Sequence, residues 1–383
     1  MENFVVSARK YRPSTFESVV GQSHITTTLK NAIKNNHVAQ AFLFCGPRGV
    51  GKTTNARILA KAINCLNLTA DTEPCNKCAS CESFNNNASF SIFELDAASN
   101  NSVDDIRNLV DQVRIPPQTG KYKVYIIDEV HMLSTAAFNA FLKTLEEPPS
   151  YAKFILATTE KHKILPTILS RCQIFDFNRI LVKDISEHLA SIAVKEKITV
   201  EPSALHLIAQ KADGGLRDAL SMFDMIVTFC GNNVTYKATA ENLHILDYDY
   251  YFKMSDLLYK KDQSNVLLTF DEILRKGFDG HNFIVGLGEH FRNLLVSKDP
   301  ATIKLMEIAE DIQKKYQVQA AEIPLGFLMS GLTIISHADL HYKASKNARL
   351  LVELALMKIA FLTEAIQLAQ AFTSGEVKKK VTT

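Results

Sequence analysis

A glycine-rich loop between an apolar run and a helical pattern is the feature that most constrains the fold of this chain. The loop reads Gly46-Pro47-Arg48-Gly49-Val50-Gly51-Lys52-Thr53 and is followed by Thr54. It follows the apolar run 41–45 and opens a segment with helical periodicity, 54–63. A strand, a glycine-rich loop and a helix in this order form a phosphate cradle, because backbone N–H groups and the helix N-terminus face the anion. The alternative is a chance glycine-rich turn.

The end of this loop carries the side chains that contact phosphate and metal in such cradles. We expect Lys52 to reach the β and γ phosphates of a nucleoside triphosphate, and the Thr53 hydroxyl to bind Mg²⁺. Residues 46–54 are therefore predicted to bind the nucleotide.

An apolar run that ends in two carboxylates predicts the other half of the site. Residues 123–127 are typical of a central strand in a parallel sheet, and Asp128 and Glu129 follow directly. The carboxyl ends of parallel strands meet at one edge, so both side chains are expected beside the loop. Asp128 would hold the hydration shell of Mg²⁺, and Glu129 could act as the general base for the attacking water. A solvated acidic pair is the alternative, but together with the loop the pattern favours an ATPase.

Four of the seven cysteines fall within seventeen residues. They are Cys65, Cys75, Cys78 and Cys81. In a chain without secretion signals this spacing favours a tetrahedral zinc site, since reduced thiolates are its preferred ligands. A redox pair or four free cysteines are the alternatives. The cluster has no nearby His or carboxylate that suggests an open coordination position, so the metal is expected to be structural.

Composition limits the class of protein. At 383 residues the chain is expected to hold two or three domains, and its 46% apolar and 22% charged residues are ordinary for a globular protein. No apolar run approaches the roughly 20 residues of a bilayer span, and the N-terminus lacks signal-peptide features, so a cytoplasmic protein without membrane contact is expected. The net charge of +2 does not point to nucleic acid, and any DNA contact would need a local patch.

The order of patterns along the chain predicts three domains and a tail. Strands alternate with helices at 41–45, 92–96, 123–129 and 154–157, which indicates an α/β domain with a parallel sheet; later segments read as helical. The expected parts are an α/β domain at 1–179, a small helical domain at 180–243, an all-helical domain at 244–373 and a disordered basic tail at 374–383.

Further motifs accompany the loop and the acidic strand end. In chain order they are Ala8-Arg9-Lys10-Tyr11-Arg12-Pro13, Val20-Gly21-Gln22, the cysteine cluster, residues 128–133, Leu142-Lys143-Thr144-Leu145-Glu146-Glu147-Pro148-Pro149, Thr158-Thr159, Ser170-Arg171-Cys172 and Gly215-Leu216-Arg217-Asp218. In combination they resemble an AAA+ ATPase of the clamp-loader clade, and more narrowly the gamma/tau family of bacterial DNA polymerase III. The resemblance is dense over residues 5–230 and thin in the helical remainder.

The resemblance implies roles for residues outside the loop. Thr159 would report on the γ-phosphate, Arg217 would reach the nucleotide from a helical lid domain, and Arg171 would act on the nucleotide of a neighbouring subunit. An arginine suits that last role because its planar charge stabilises the charge that develops on the γ-phosphate. For each arginine alone, a surface ion pair is the alternative. The implied adenine pocket consists of Tyr11, Arg12, Pro13, Val19 and Val20.

The resemblance also implies a mechanism and partners. ATP would join subunits, copies of this chain included, into a five-membered arc that holds a sliding clamp open, with the helical C-terminal domain as its collar. Primer–template DNA would then trigger hydrolysis and clamp release. Polymerase and helicase would be partners only through further C-terminal domains. A non-hydrolysing subunit of the same machine, or another AAA+ engine such as a helicase loader or branch-migration motor, is the rival hypothesis.

Overall fold

The computed structural model describes residues 6–373 except 87, 119, 244–245, 304–305 and 307–309. The chain divides into two compact units, of which the first ends at Thr239 and the second begins at Ala240. The predicted tail at 374–383 lies outside the described residues.

The first unit is built on a five-stranded sheet in which all neighbouring strands are parallel. The strands are β1 (Ala41–Cys45), β2 (Ile92–Asp96), β3 (Lys123–Asp128), β4 (Ala152–Thr158) and β5 (Gln173–Asp176). Their order across the sheet is β2-β3-β4-β1-β5. β1 and β4 are buried along their whole length, as expected of central strands covered on both faces. The predicted α/β architecture with a parallel sheet is confirmed.

Four strands are predicted from the sequence, and this count is wrong by one. The additional strand, β5, lies at the edge and pairs with β1, so that Asp176 stands opposite Cys45. Of its four residues only Phe175 is buried. A strand this short and this exposed has no continuous apolar run, which is the signal on which the other strand predictions rest.

The register of the sheet brings the carboxyl ends of paired strands level. Cys45 at the end of β1 stands opposite Thr158 at the end of β4. Asp128 at the end of β3 stands opposite Asp96 at the end of β2. The segments that follow these strands therefore leave from one edge of the sheet, where ligand sites form in such folds.

Apolar side chains of helices cover both faces of the sheet. The helices of this part of the chain are α1 (Ser7–Lys10), α2 (Ser23–Lys34), α3 (Lys52–Asn64), α4 (Ala79–Asn85), α5 (Val103–Val113), α6 (Thr135–Glu146) and α7 (Pro166–Leu169). The helix predicted over 133–146 begins at Thr135, because Leu133 and Ser134 have an extended backbone after the 3₁₀ turn Val130–Met132. The Ser134 hydroxyl then caps α6 by accepting the N–H of Ala137 at 3.3 Å.

A helical segment follows the sheet, as predicted, with one addition. Its helices are α8 (Val182–Glu196), α9 (Pro202–Lys211), α10 (Leu216–Cys230) and α11 (Tyr236–Asn242). Two short strands that the sequence patterns do not predict, β6 (Thr199–Val200) and β7 (Asn233–Val234), pair in parallel beside them. Each has only two residues, too few for a periodic pattern.

The second unit is helical in its described residues. Its helices are α12 (Tyr248–Tyr259), α13 (Gln263–Arg275), α14 (Gly280–Val296), α15 (Glu310–Glu322), α16 (Leu325–Tyr342) and α17 (Ala348–Thr373). They enclose their own apolar core, which includes Phe270, Phe291 and Phe327. Among the described helices no single one is long and apolar enough to cross a bilayer, although Ile312–Glu322 and Leu325–Tyr342, bent by 108°, pass that test as a pair.

Candidate functional site

The glycine-rich loop joins β1 to α3 with a backbone that only glycine adopts readily. Gly46, Gly49 and Gly51 all have positive φ, of 148°, 78° and 101°. A Cβ atom on Gly46 would lie 2.5 Å from the carbonyl oxygen of Phe177, so the position has no room for a side chain. The loop therefore turns tightly and presents its backbone to the N-terminus of α3.

Lys52, the first residue of α3, is held over this loop. Its Nζ donates to the carbonyl oxygens of Gly46 and Pro47, both at 2.8 Å. The residue is only 6% exposed, and burial lowers the pKa of its ammonium group. The nearby carboxylates of Glu129 and Asp128 act in the opposite direction and favour the charged form. A buried cation that is hydrogen-bonded to neutral carbonyl oxygens is well suited to an anionic ligand.

Thr53 and Asp128 meet at the edge of the sheet. The Thr53 hydroxyl donates to Oδ2 of Asp128 at 2.6 Å, although 75 residues separate them in sequence. A hydroxyl and a carboxylate are oxygen ligands of the kind that Mg²⁺ prefers. The pair therefore fits the magnesium site predicted from the sequence.

Glu129 takes a different direction from Asp128 because its backbone is left-handed, with φ of 47°. Its Oε2 accepts the Thr159 hydroxyl at 2.9 Å and the Thr159 N–H at 3.3 Å. The structure thus joins the predicted base to the predicted sensor residue, across β3 and β4.

His131 is a neighbour of Glu129 for which the sequence patterns predict no role. Its Nδ1 lies 3.0 Å from the Thr158 hydroxyl and 3.4 Å from Oε2 of Glu129, and its Nε2 lies 3.5 Å from Oε2 of Glu160. Its position three residues after Asp128, in a 3₁₀ turn, is the signal that could have identified it.

A cleft lies over the loop and is closed on one side by the N-terminal segment. Tyr11, Arg12, Pro13, Val19 and Val20 line this side, which we call the N-terminal wall. The other lining residues are Ala8, Arg48, Gly49, Val50, Gly51, Lys52, Thr53, Thr54, Asp128, Glu129, Ile180, Leu216, Arg217 and Leu220. The N-terminal wall thus contains all the predicted adenine-pocket residues. Four of the other lining residues, Ala8, Ile180, Leu216 and Leu220, are not predicted from the sequence as part of the site.

Arg217 reaches the cleft from the start of α10. Its N–H donates to the carbonyl oxygen of Gly49 at 3.4 Å, and the Cα of neighbouring Gly215 would lie 3.2 Å from a Cβ on Gly49. Across the cleft, burial and the charges of Arg57 and Arg217 lower the pKa of Arg12. The cleft thus gathers several cationic groups, which suits a ligand with several negative charges.

Arg171 lies outside this cleft. Its guanidinium donates to Oε1 of Glu146 at 2.7 Å and to the carbonyl oxygen of Thr167 at 2.6 Å. Its side chain is 33% exposed and precedes the edge strand β5. Arg171 therefore does not join the other predicted catalytic residues within one chain.

The four cysteines come together at the end of α3. Their Sγ atoms all lie within 4.8 Å of one another, and those of Cys65 and Cys78 are 4.0 Å apart. Four thiolates about 2.3 Å from one zinc ion stand roughly 3.8 Å apart in a tetrahedron. The donor set and its spacing therefore fit zinc.

Local structure explains why these residues converge. Cys65 caps the C-terminus of α3 and Cys78 the N-terminus of α4, and left-handed Asn76, with φ of 55°, turns the chain between Cys75 and Cys78. Burial acts to raise the pKa of Cys78, but hydrogen bonds from backbone N–H groups and the neighbouring thiols outweigh it and bring the pKa to about 6. Burial raises the pKa of Cys65 and of Cys81 in the same cluster, so the thiols without a metal share their protons unequally.

Two family models and a solved structure match parts of this chain. Residues 21–180 match the family described as DNA polymerase III, delta subunit, and residues 184–232 match the DNA polymerase III clamp loader subunit, ATPase lid domain. The Thermotoga maritima RuvB Holliday junction branch migration motor is 20% identical, with 65% of this chain and 79% of that chain covered and a TM-score of 0.46.

Two curated relatives are much more similar in sequence. DNA polymerase III subunit tau of Bacillus subtilis is 42% identical over 351 residues, which cover 92% of this chain and 62% of that protein. DNA polymerase III subunit gamma of Buchnera aphidicola from Acyrthosiphon pisum is 33% identical over 358 residues, covering 93% of this chain and 99% of that protein. The chain thus spans less than two thirds of one relative and nearly all of the other. It belongs to the gamma/tau family of DNA polymerase III subunits.

Proposed function

We propose that this protein is an ATP-driven clamp-loader subunit of a bacterial replicative polymerase and acts in the cytoplasm. The observation that carries the proposal is the convergence of Lys52, the Thr53–Asp128 pair and the Glu129–Thr159 pair beside one glycine-rich loop. Each of these groups has a distinct task in phosphoryl transfer, and together they supply the parts that the reaction needs.

Different residues of the cleft bind different parts of the nucleotide. Lys52 and the N–H groups of the loop hold the β and γ phosphates, and the N-terminal wall encloses the base. Thr53 and Asp128 hold Mg²⁺, which when bound neutralises charge on the phosphates. Arg217 adds a positive charge from α10 and links the position of the helical segment to the bound nucleotide.

Hydrolysis requires a carboxylate that can take a proton from the attacking water. Oε2 of Glu129 accepts the hydroxyl and the N–H of Thr159, so it is held near the end of β4. In the proposed reaction this carboxylate takes the proton of the attacking water, and Thr159 orients it and reports on the γ-phosphate.

Assembly completes the active site. We propose that Arg171 serves the nucleotide of a neighbouring subunit, which agrees with its position outside the cleft of its own chain. ATP then joins the subunits in an arc that opens the sliding clamp, and hydrolysis on primer–template DNA releases the clamp. The proposed partners are other clamp-loader subunits, the clamp and the DNA. The domains proposed for these tasks are 1–179, 180–243 and 244–373, with the last as the collar.

Stimulation of the ATPase distinguishes this function from its rivals. A clamp loader is expected to hydrolyse ATP faster with primer–template DNA plus clamp than with duplex DNA alone, when assembled with its partner subunits. A helicase loader or branch-migration motor would not respond to the clamp, and a non-hydrolysing subunit would show no turnover of its own. Steady-state phosphate release under the two conditions is the measurement.

Replacing Lys52 with alanine is expected to lower ATP affinity about 30-fold or more, because truncating a buried charged partner costs roughly 2–5 kcal/mol. Fluorescent nucleotide titration measures the change. Lys34→Ala, at an exposed lysine at the end of α2, is the matched control and should bind like wild type. Unchanged affinity in Lys52→Ala would remove the phosphate-loop assignment.

We also propose that Cys65, Cys75, Cys78 and Cys81 bind one zinc ion in a structural role. The purified protein is expected to carry about one zinc per chain, and Cys78→Ser is expected to release it, because the site would lose one of four thiolates. Emission spectroscopy gives the stoichiometry. Cys230→Ser, outside the cluster, should keep the metal. A stoichiometry near zero after anaerobic preparation of the wild type would contradict the proposal.

A further inference from the structure

Glu73 is a buried carboxylate in the four-cysteine segment, which we define as residues 65–81. Its side chain is only 9% exposed. Its Oε2 accepts the N–H of Phe16 at 2.7 Å, and its Oε1 accepts the N–H of Glu17 at 3.0 Å and lies 2.6 Å from Nζ of Lys30. One side chain of this segment therefore holds two consecutive backbone amides of the N-terminal segment and a cation on α2.

The amides that Glu73 holds lie next to the N-terminal wall of the cleft. The chain turns immediately after them, where the N–H of Val19 donates to the carbonyl oxygen of Phe16 at 3.2 Å. Val19 and Val20 then line the cleft. Phe16 itself is 1% exposed and shares an apolar cluster with Val50 of the glycine-rich loop.

Backbone hydrogen bonds on either side of Glu73 connect it to the cysteine cluster of the same segment. The N–H of Glu73 donates to the Thr69 hydroxyl and its carbonyl oxygen accepts the N–H of Thr69, both at 3.0 Å. Two residues later Cys75 enters the cluster, and its N–H donates to Sγ of Cys65 at 3.3 Å. A fold that orders the cysteines thus also fixes the place of the Glu73 carboxylate.

We propose that the four-cysteine segment positions the N-terminal wall through Glu73, and that affinity for the base of the nucleotide depends on this contact. The inference rests on the proposed nucleotide binding and deepens it. Glu73 is a positioning residue, since it does not line the cleft. The contacts of Glu73 are to Phe16, Glu17 and Lys30, whereas the phosphate side of the cleft is built on β1 and α3.

The test separates base binding from phosphate binding. Glu73→Gln keeps the shape of the side chain but replaces one acceptor oxygen with an NH₂ donor, which leaves one buried amide without an acceptor. We expect ATP affinity to fall about tenfold, the size of one hydrogen bond to a charged group. Affinity for inorganic tripolyphosphate, which lacks a base, should change less than about twofold. Titration calorimetry measures both ligands.

One control variant and two further variants sharpen the test. Glu82→Gln, at an exposed glutamate of α4 just after this segment, should bind both ligands like wild type. Lys30→Met, which removes only the cation, should weaken ATP binding in the same selective way and by less. Cys78→Ser should reproduce the selective loss, and combining it with Glu73→Gln should add little, because both act through one contact.

Three results would overturn the inference. They are unchanged ATP affinity in Glu73→Gln, an equal loss of ATP and tripolyphosphate affinity, and fully additive losses in the double variant. A wild-type protein that binds neither ligand would instead remove the proposed function on which the inference rests.

Discussion

A Glu129→Gln protein is expected to bind ATP with nearly wild-type affinity while its rate of hydrolysis falls by about 10²–10⁴-fold. The factor is the usual contribution of a general base. The carboxamide keeps an oxygen that can accept the Thr159 hydroxyl, so the contact at 2.9 Å and the left-handed backbone at this position can persist. The amide cannot accept a proton from water. In the proposed mechanism clamp opening requires only ATP binding, so it should continue.

Single-turnover hydrolysis and nucleotide titration on the same preparation check this expectation. Glu147→Gln, just after the end of α6, is the matched control because it makes the same chemical change outside the cleft. Hydrolysis at the wild-type rate in Glu129→Gln would assign the base to another residue. A parallel loss of ATP affinity would instead mean that Glu129 serves mainly to hold the nucleotide.

An Arg171→Ala protein is expected to bind nucleotide normally as an isolated subunit, yet to slow DNA-stimulated hydrolysis in the assembled complex by about 10³–10⁵-fold. That range is the contribution of an arginine supplied to the nucleotide of a neighbour. The observed ion pair with Glu146 cannot produce an effect of this size, because exposed pairs contribute roughly 0–1 kcal/mol to stability. Phosphate release in the presence of clamp and primer–template DNA is the measurement.

Glu146, the ion-pair partner of Arg171 in the same chain, provides the matched control. Glu146→Gln removes the ion pair but leaves the arginine, so it should keep nearly full hydrolysis if Arg171 acts on a neighbour, and should match Arg171→Ala if only the pair matters. In mixtures of Arg171→Ala and Lys52→Ala subunits, activity should return only where an intact loop faces an intact arginine. Normal turnover by Arg171→Ala in the full assembly would refute the trans-acting site.

Much of the fold could be predicted because its signals are local. The residues of β1, β3 and β4 form apolar runs that are buried where the sequence indicates them. The glycines of the loop mark backbone conformations that other residues rarely adopt, and the cysteine spacing predicts a cluster that the structure contains. Each of these features depends on neighbours within a few residues, and so it is present in the sequence itself.

Side-chain partners far apart in sequence could not be predicted in the same way. The edge strand β5 exists because β1 offers it a hydrogen-bonding edge, although its own residues are mostly exposed. Arg171 meets Glu146, and Glu129 meets Thr159, only because the sheet and its helices bring them together. Glu73 is the clearest case, since nothing near it in sequence indicates amides 56 and 57 residues away. By itself the sequence determined the strands, the loop and the donor groups, whose preferences are local. The tertiary structure alone decided which donor meets which acceptor, because packing sets those distances.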